Sequence, residues 1–367
     1  MTNLLEKPQF SALAALAALA LLAFPAAGFA QETLFGALEE APMSDEGGVS
    51  IQLDNDLFSG SERDQDFSWG ATLTVASPQP HRIAAPIERA RARIAPLLGS
   101  ASVPGAYVSR ATQLGILAMT PKDLAIGAVQ PEDRPYASLV FLSAAEMRVS
   151  DVDGRARFTS FTVGALGLAA AETTQKVIHA GLGGELPRGW SHQISEGGEP
   201  TARYVHAEQW LVTNTSGRSG TRPEMKLTLS GSAGFLTEGS AAVSMRWGQI
   251  RTPWWSFNPE LDDYTAAPVA PITGFGRDAV PEIYGFFGAR AKVRAYNALL
   301  QGQFRHSDVR FGSSDLARVQ GEAWAGIASN WSDWRVTYAM HVASPELSPE
   351  PAARSLAWAS LSVVRAF

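Results

Sequence analysis

Gln175 and His179 stand four residues apart in Leu168 to Gln193, LAAAETTQKVIHAGLGGELPRGWSHQ, a segment whose composition differs from the alternating stretches around it. Ala169 to Ala180 reads as a helix. On a helix, residues four apart lie one above the other on one face, so an amide and an imidazole are presented together. Gly181, Gly183 and Gly184 end the helix, and Glu185 follows six residues after His179. A histidine within reach of a bound ester can take a proton from water, which is the work of a general base. The competing reading is a hydrogen-bonded loop histidine with no chemical task.

Other chemistries find no support. The sequence has no G-x-S-x-G elbow, no H-E-x-x-H helix, no P-loop and no full EF-hand loop. Asp151-Val152-Asp153-Gly154 carries two acids of the EF-hand kind but reads as a tight turn. Histidines 81, 179, 192, 206, 306 and 341 show no close ligand spacing, so no zinc site is expected. A further polar cluster, Asp54-Asn55-Asp56, closes the first alternating stretch, Gly47 to Leu57.

The elements that must position these groups follow from composition and period. The 367 residues include 33 glycines and no cysteine, and 18% are charged. Residues 1–30 read as a secretory signal: Lys7, an apolar run, then small residues at Gly28 and Ala30. The remaining domain, residues 31–367, holds no apolar run of the ~18 residues a spanning helix needs. An exported chain of this kind is either a soluble periplasmic or secreted protein or an outer-membrane β-barrel. A net charge of −6 gives no basis for nucleic-acid binding.

Two later strands carry the clearest two-residue period. In Phe287 to Leu299, Phe287, Ala289, Ala291 and Val293 alternate with Arg290, Lys292, Arg294 and Tyr296. In Arg335 to Val342, Val336, Tyr338, Met340 and Val342 alternate with Arg335, Thr337, Ala339 and His341. Three cations on one face would cost about 2–4 kcal/mol each at mid-depth in lipid, so they must face a polar lumen or water. Alternation alone also fits a soluble sandwich. Ser355 to Phe367 ends on a terminal aromatic in phase with Ala359, Leu361 and Val363, and Arg365 interrupts that phase. Strands are expected near residues 50, 70, 115, 142, 162, 207, 229, 244, 292, 323, 338 and 361. Twelve antiparallel strands, with a short helical insert in an outer loop, make an all-β transmembrane barrel. Between Pro78 and Gly105, Ile83, Ile87, Ala90, Ile94 and Leu97 fall at helical spacing with Arg82, Arg89, Arg91 and Arg93 on other faces. That helix either lies on the membrane surface or packs on the domain it connects.

Four stretches, in order, resemble the LpxR family of outer-membrane lipid A 3′-O-deacylases. They are DNDLFSG at Asp54 to Gly60 with DQDFSWG at Asp64 to Gly70; Met119-Thr120-Pro121 running to DRPYAS at Asp133 to Ser138; the Gln-x-x-x-His insert, then Gly189-Trp190 and Gln193; and GARAKVRAYNALLQG at Gly288 to Gly302. The resemblance implies a twelve-stranded barrel acting as a carboxylic ester hydrolase on lipid A of lipopolysaccharide, with calcium (Ca2+) as cofactor. Carried over by position, it implies His179 as general base with Gln175, Asn55, Ser68 and Lys122 around it, and Asp56 and Glu185 as metal ligands. It implies an outer-membrane monomer. Phe67, Ser68 and Trp69 stand where the family has Tyr, Thr and a small or amide residue, and Pro187 stands where it has Tyr. Trp69 is thus expected to reshape or block the acyl pocket. Two alternatives stay open: a catalytically silent barrel with a structural or binding role, and an outer-membrane phospholipase using a Ser-His-Asn arrangement, for which Ser68 is the candidate serine.

Overall fold

The structure, a computed structural model, describes residues 47–56, 66–77, 81–98, 107–150, 153–182, 184–214, 222–263 and 281–366. The expected signal, the Asp151-Val152 half of the turn and Phe367 lie outside them.

Twelve strands alternate up and down: β1 (Gly48–Asn55), β2 (Asp66–Ser77), β3 (Tyr107–Thr120), β4 (Ala137–Val149), β5 (Arg155–Leu166), β6 (Glu199–Asn214), β7 (Arg222–Gly234), β8 (Leu236–Gln249), β9 (Glu282–Asn297), β10 (Val319–Trp331), β11 (Trp334–Ala343) and β12 (Leu356–Ala366). Each of the twelve expected positions falls inside one of them. Every strand pairs with its sequence neighbours, and β1 closes on β12 from Gly48↔Ala366 to Asn55↔Ala359, so the sheet has no edge. Among the described residues three α-helices interrupt the strands. α1 (Ala85–Ile94) lies in the β2–β3 connection, α2 (Ala170–Leu182) in the β5–β6 connection, and α3 (Ala298–Gln301) follows β9. An even strand number puts the start of β1 and the end of β12 at one end, the periplasmic end in bacterial barrels of this type. The β1–β2, β3–β4, β5–β6, β9–β10 and β11–β12 connections lie at the opposite, outer end.

The alternation read in β9 and β11 divides wall from lumen. Phe287 and Val293 point outward, 55% and 60% exposed, whereas Arg290, Lys292 and Arg294 are buried inside. Inside, each cation finds a carboxylate. Arg290 and Lys292 share Glu322, at 2.5 and 2.8 Å, and Arg294 holds Glu238 at 2.8 Å and also Glu346. In β11, Arg335 and His341 are buried while Tyr338 and Met340 face outward. Arg365 stays on the outer wall, 5.2 Å over the Trp334 ring and 3.0 Å from Asp333.

The lumen is filled from both ends. The β8–β9 connection turns inward through Trp254–Ser256 and Pro259–Leu261, packing Trp254, Trp255 and Leu261 against Met147, Phe158 and Ala207. Glu260 on this loop reaches Lys226 at 2.8 Å, and its oxygens also accept from Ser244 and Gln209. Toward the outer end an apolar layer of Phe67, Leu117, Phe141, Phe235, Leu299 and Trp358 crosses the barrel.

α1 packs against the outside of the barrel. Ala84 and Ile87 meet Ala144, Leu142, Phe161 and Val163 of β4 and β5. One expectation is corrected here. Arg91, placed with the other arginines on faces other than the apolar stripe, is buried against the wall, bonded to Glu88 and Thr159 and 2.9 Å from Glu146. It shares the buried side with Ile87, four residues earlier, and the outward-facing Glu146 supplies the charge that holds it there.

Candidate functional site

The candidate residues lie on two parts of the outer end, the β1–β3 strands and α2, which pack on each other through an aromatic cluster. The strand half begins at Asn55, the last residue of β1, whose Nδ2 donates to the Ser68 carbonyl at 2.7 Å. Asp56 follows it with 2% of its surface exposed. Ser68 is the extra residue of a β-bulge, where pairing with β3 shifts between Phe67 and Trp69. A bulge re-aims a side chain. The buried Ser68 hydroxyl is turned to Thr120 Oγ1, 2.5 Å away. That engagement gives no support to Ser68 as a histidine-activated nucleophile. Two residues beyond Thr120, Lys122 is exposed, and among the described residues its ammonium makes no hydrogen bond or ion pair.

The helix half is α2. Its start suits a helix: an alanine run, then Glu172 and Lys176 paired at 2.6 Å in the favourable i,i+4 order. Ala171 and Gln175 are both fully buried, and His179, one turn further on the same stripe, is half-buried. Gln175 Oε1 accepts from Trp190 Nε1 at 2.9 Å. Past the helix the chain doubles back, with Gly184 N–H donating to the His179 carbonyl at 2.9 Å. This brings the Glu185 carbonyl oxygen to 2.5 Å from His179 Nδ1. A carbonyl oxygen only accepts, so Nδ1 carries the hydrogen and Nε2 is the basic nitrogen. A Cβ at Gly184 would lie 3.2 Å from Nδ1, so a side chain at residue 184 would crowd the ring.

Trp69, Ala118, Leu124, Tyr136, Ala171 and Trp190 form the joint between the halves. Tyr136 and Trp190 pack at 4.9 Å between ring centroids, and Arg188 N–H donates to the Leu124 carbonyl at 3.0 Å. Trp69 is therefore a buried brace beneath α2.

Sequence reasoning missed the tether that holds the strand half together. Asp66 has a left-handed backbone, φ 67°, which costs an aspartate less than most residues but still needs support. Arg354 of the β11–β12 connection grips both Asp66 oxygens, at 2.8 and 3.2 Å, and reaches Asp133 at 2.6 Å. The other Asp133 oxygen accepts from the Lys122 backbone N–H at 2.9 Å. One guanidinium thus ties the Ser68 bulge to the Lys122 loop. Asp66 and Asp133 both lie inside stretches singled out in the sequence, but Arg354, 288 residues from Asp66, carried no local signal. In the ester hydrolysis that the sequence resemblance implies, Arg354→Ala is expected to lower the rate about 100-fold, the scale of a misplaced catalytic group. Arg354→Lys, with charge but no fork, should recover part of the rate. Both variants should keep the folded, heat-modifiable band on gels, and an Arg354→Ala enzyme at full rate would remove the tether from the site.

For a calcium ion, the donor set is one of hard oxygens: the buried Asp56 carboxylate beside Asn55, and Glu185, whose exposed carboxylate has no partner among the described residues. Among the described residues no group of three or more His, Cys, Asp or Glu side chains gathers around one point.

A closed barrel with an apolar outer wall, a filled lumen and a polar site on its rim defines a plugged outer-membrane barrel. The family model described as outer membrane protein LpxR matches residues 13–367, and the chain belongs to that family. It is a protein of the bacterial outer membrane. Among solved structures, LpxR from Salmonella typhimurium superposes with a TM-score of 0.66 at 13% identity, over 87% of this chain and 100% of that one. A KdgM porin, at 6% identity over 87% of this chain and 99% of that one, gives a TM-score of 0.35. The β domain of the Bordetella autotransporter BrkA, at 11% identity over 88% of this chain and 100% of that one, gives 0.40. Comparison with curated proteins gave no sequence match.

Proposed function

We propose that this chain is a lipid A deacylase, hydrolysing the ester that links the 3′-acyloxyacyl chain to lipid A of lipopolysaccharide. Family membership supports the general role. The observation that carries the mechanism is the His179 ring, oriented through Nδ1 by the Glu185 carbonyl at the outer rim.

In this reading Nε2 of His179 takes a proton from water as its oxygen attacks the ester carbonyl carbon. The carbonyl π bond breaks and its electron pair becomes the oxyanion of a tetrahedral intermediate. Lys122, whose ammonium is exposed and makes no hydrogen bond or ion pair among the described residues, is the cation this reading assigns to balance that charge. On collapse the carbonyl re-forms, the bond between the acyl carbon and the sugar oxygen breaks, the imidazolium gives its proton to that sugar oxygen, and the fatty acid departs. Gln175, locked by Trp190, sets the height of α2, and Asn55 and Ser68 hold the rim strands in register. Calcium, when bound by Asp56 and Glu185, supplies further positive charge for the oxyanion.

The test is a mass spectrum of lipid A from cells expressing the chain, beside cells carrying an empty vector. Loss of one acyloxyacyl unit is expected, and identical spectra with the protein shown in the outer membrane would overturn the assignment. With purified enzyme, EGTA is expected to remove activity and added Ca2+ to restore it. A rate indifferent to EGTA would take calcium out of the reading.

A further inference from the structure

We infer that the outward face of α1 is a binding site for anionic phospholipid headgroups of the periplasmic leaflet. This rests on the placement of α1 and does not depend on the deacylase reading.

α1 and its flanking turns, Arg82–Ala84 and Ala95–Leu98, lie against outward-facing residues of β4 and β5. Elsewhere that wall presents Ile51, Leu114, Phe287 and Val293 to the surroundings, as a lipid-facing wall must. The helix therefore stands between barrel and bilayer. Its depth follows from Glu146, which holds Arg91. Glu146 is three residues from the periplasmic end of β4 at Val149, or roughly 10 Å along the strand. That is the level of headgroups and upper acyl chains.

The two sides of the helix treat their cations differently. Arg91 is spent on the wall, on Glu88, Glu146 and Thr159, and Arg110 of β3 covers Glu146 from the far side at 3.1 Å. Arg82, Arg89 and Arg93 are exposed and, among the described residues, their guanidiniums make no hydrogen bond or ion pair. Arg89 and Arg93 are one turn apart on one face, and Arg82 leads into it from the preceding turn. Ile83 and Leu97, 68% and 81% exposed, flank this row at either end.

Guanidiniums in a row between exposed aliphatic side chains are the pattern of a helix lying in the interface plane. The planar fork of each arginine matches two phosphate oxygens, and the aliphatic residues enter the acyl region. The one acid of the helix, Glu88, is bonded to Arg91 and so does not compete for these arginines. The occupant that fits is a phosphate-bearing lipid with net negative charge, such as phosphatidylglycerol.

The experiment uses the full chain, extracted folded in mild detergent and incubated with equal amounts of phosphatidylglycerol and phosphatidylethanolamine bearing the same acyl chains. Native mass spectrometry counts the lipids retained. The unmodified protein should hold phosphatidylglycerol over phosphatidylethanolamine by about tenfold or more, since each basic residue near the surface adds severalfold. The Arg82→Ser/Arg89→Ser/Arg93→Ser protein should lose that preference at least tenfold while keeping its heat-modifiable band. Should the triple variant not fold, Arg89→Ser and Arg93→Ser taken singly should each cost severalfold. Equal retention of the two lipids by the unmodified protein overturns the inference. So does a preference unchanged in the variants, or displacement of phosphatidylglycerol by lipopolysaccharide.

Discussion

His179→Ala is expected to lower ester hydrolysis by about 10²–10⁴-fold, the usual contribution of a positioned general base. Its effect on folding should be small. His179 is at the half-buried end of its stripe and belongs to no buried apolar cluster, whereas Ala171 and Trp190 carry the docking of α2. His179→Gln provides the sharper comparison. Its amide can still donate to the Glu185 carbonyl, so the helix exit keeps its hydrogen bond, but it has no basic nitrogen to receive a proton. If the ring acts as a base, both variants lose activity alike. If it only holds the exit, the glutamine form recovers. The readout is the rate of fatty-acid release from lipid A by purified protein, with the heat-modifiable band as the control for folding. A glutamine variant near full rate would leave His179 a structural residue.

The largest expected effect on stability belongs to Glu322 in the lumen. Its carboxylate is almost fully buried and neutralises Arg290 and Lys292, with His341 Nδ1 at 3.6 Å. Glu322→Ala leaves the buried Arg290 guanidinium and the buried Lys292 ammonium without that anion. Removing one partner of a buried ionic group typically costs about 3–5 kcal/mol, far more than the net worth of the intact group. Glu322→Gln keeps the shape and one acceptor and should cost less. Urea titration of the protein folded into lipid vesicles measures the difference. A midpoint unchanged in Glu322→Ala would mean that water enters the lumen and screens the pair.

Much of the architecture was legible because a barrel strand is a local statement. Arg290, Lys292 and Arg294 each sit two residues from the next, so one rule of alternation put all three on one face turned to a polar lumen or water, without knowledge of any partner. The same rule oriented Arg335 and His341. The partners were another matter. Glu322, Glu238 and Glu346 meet those cations only through the pairing register and the folding of outer loops, which alternation does not encode. Arg91 shows the limit most plainly. Its helical spacing is that of its neighbours, and only Glu146 on the wall makes it the buried one. At the rim, Gln175 and His179 shared a face as their spacing required. The packing of Trp69 beneath α2 was not legible, because its partners Ala171 and Trp190 lie about a hundred residues further along the chain. The inward β8–β9 connection left no periodic trace.

That inward connection and the apolar layer toward the outer end together decide how this protein affects the permeability of its membrane. Solutes would have to pass Trp254, Trp255 and Leu261 at one level and Phe141, Leu299 and Trp358 at the other, with the charged rows between them already neutralised in pairs. Reconstituted in a planar bilayer, the barrel should show no open-channel conductance, and cells producing it should remain as resistant to bulky antibiotics as cells without it. A substrate carried in the outer leaflet would then reach the rim sideways, from the lipid itself, and never by way of the lumen.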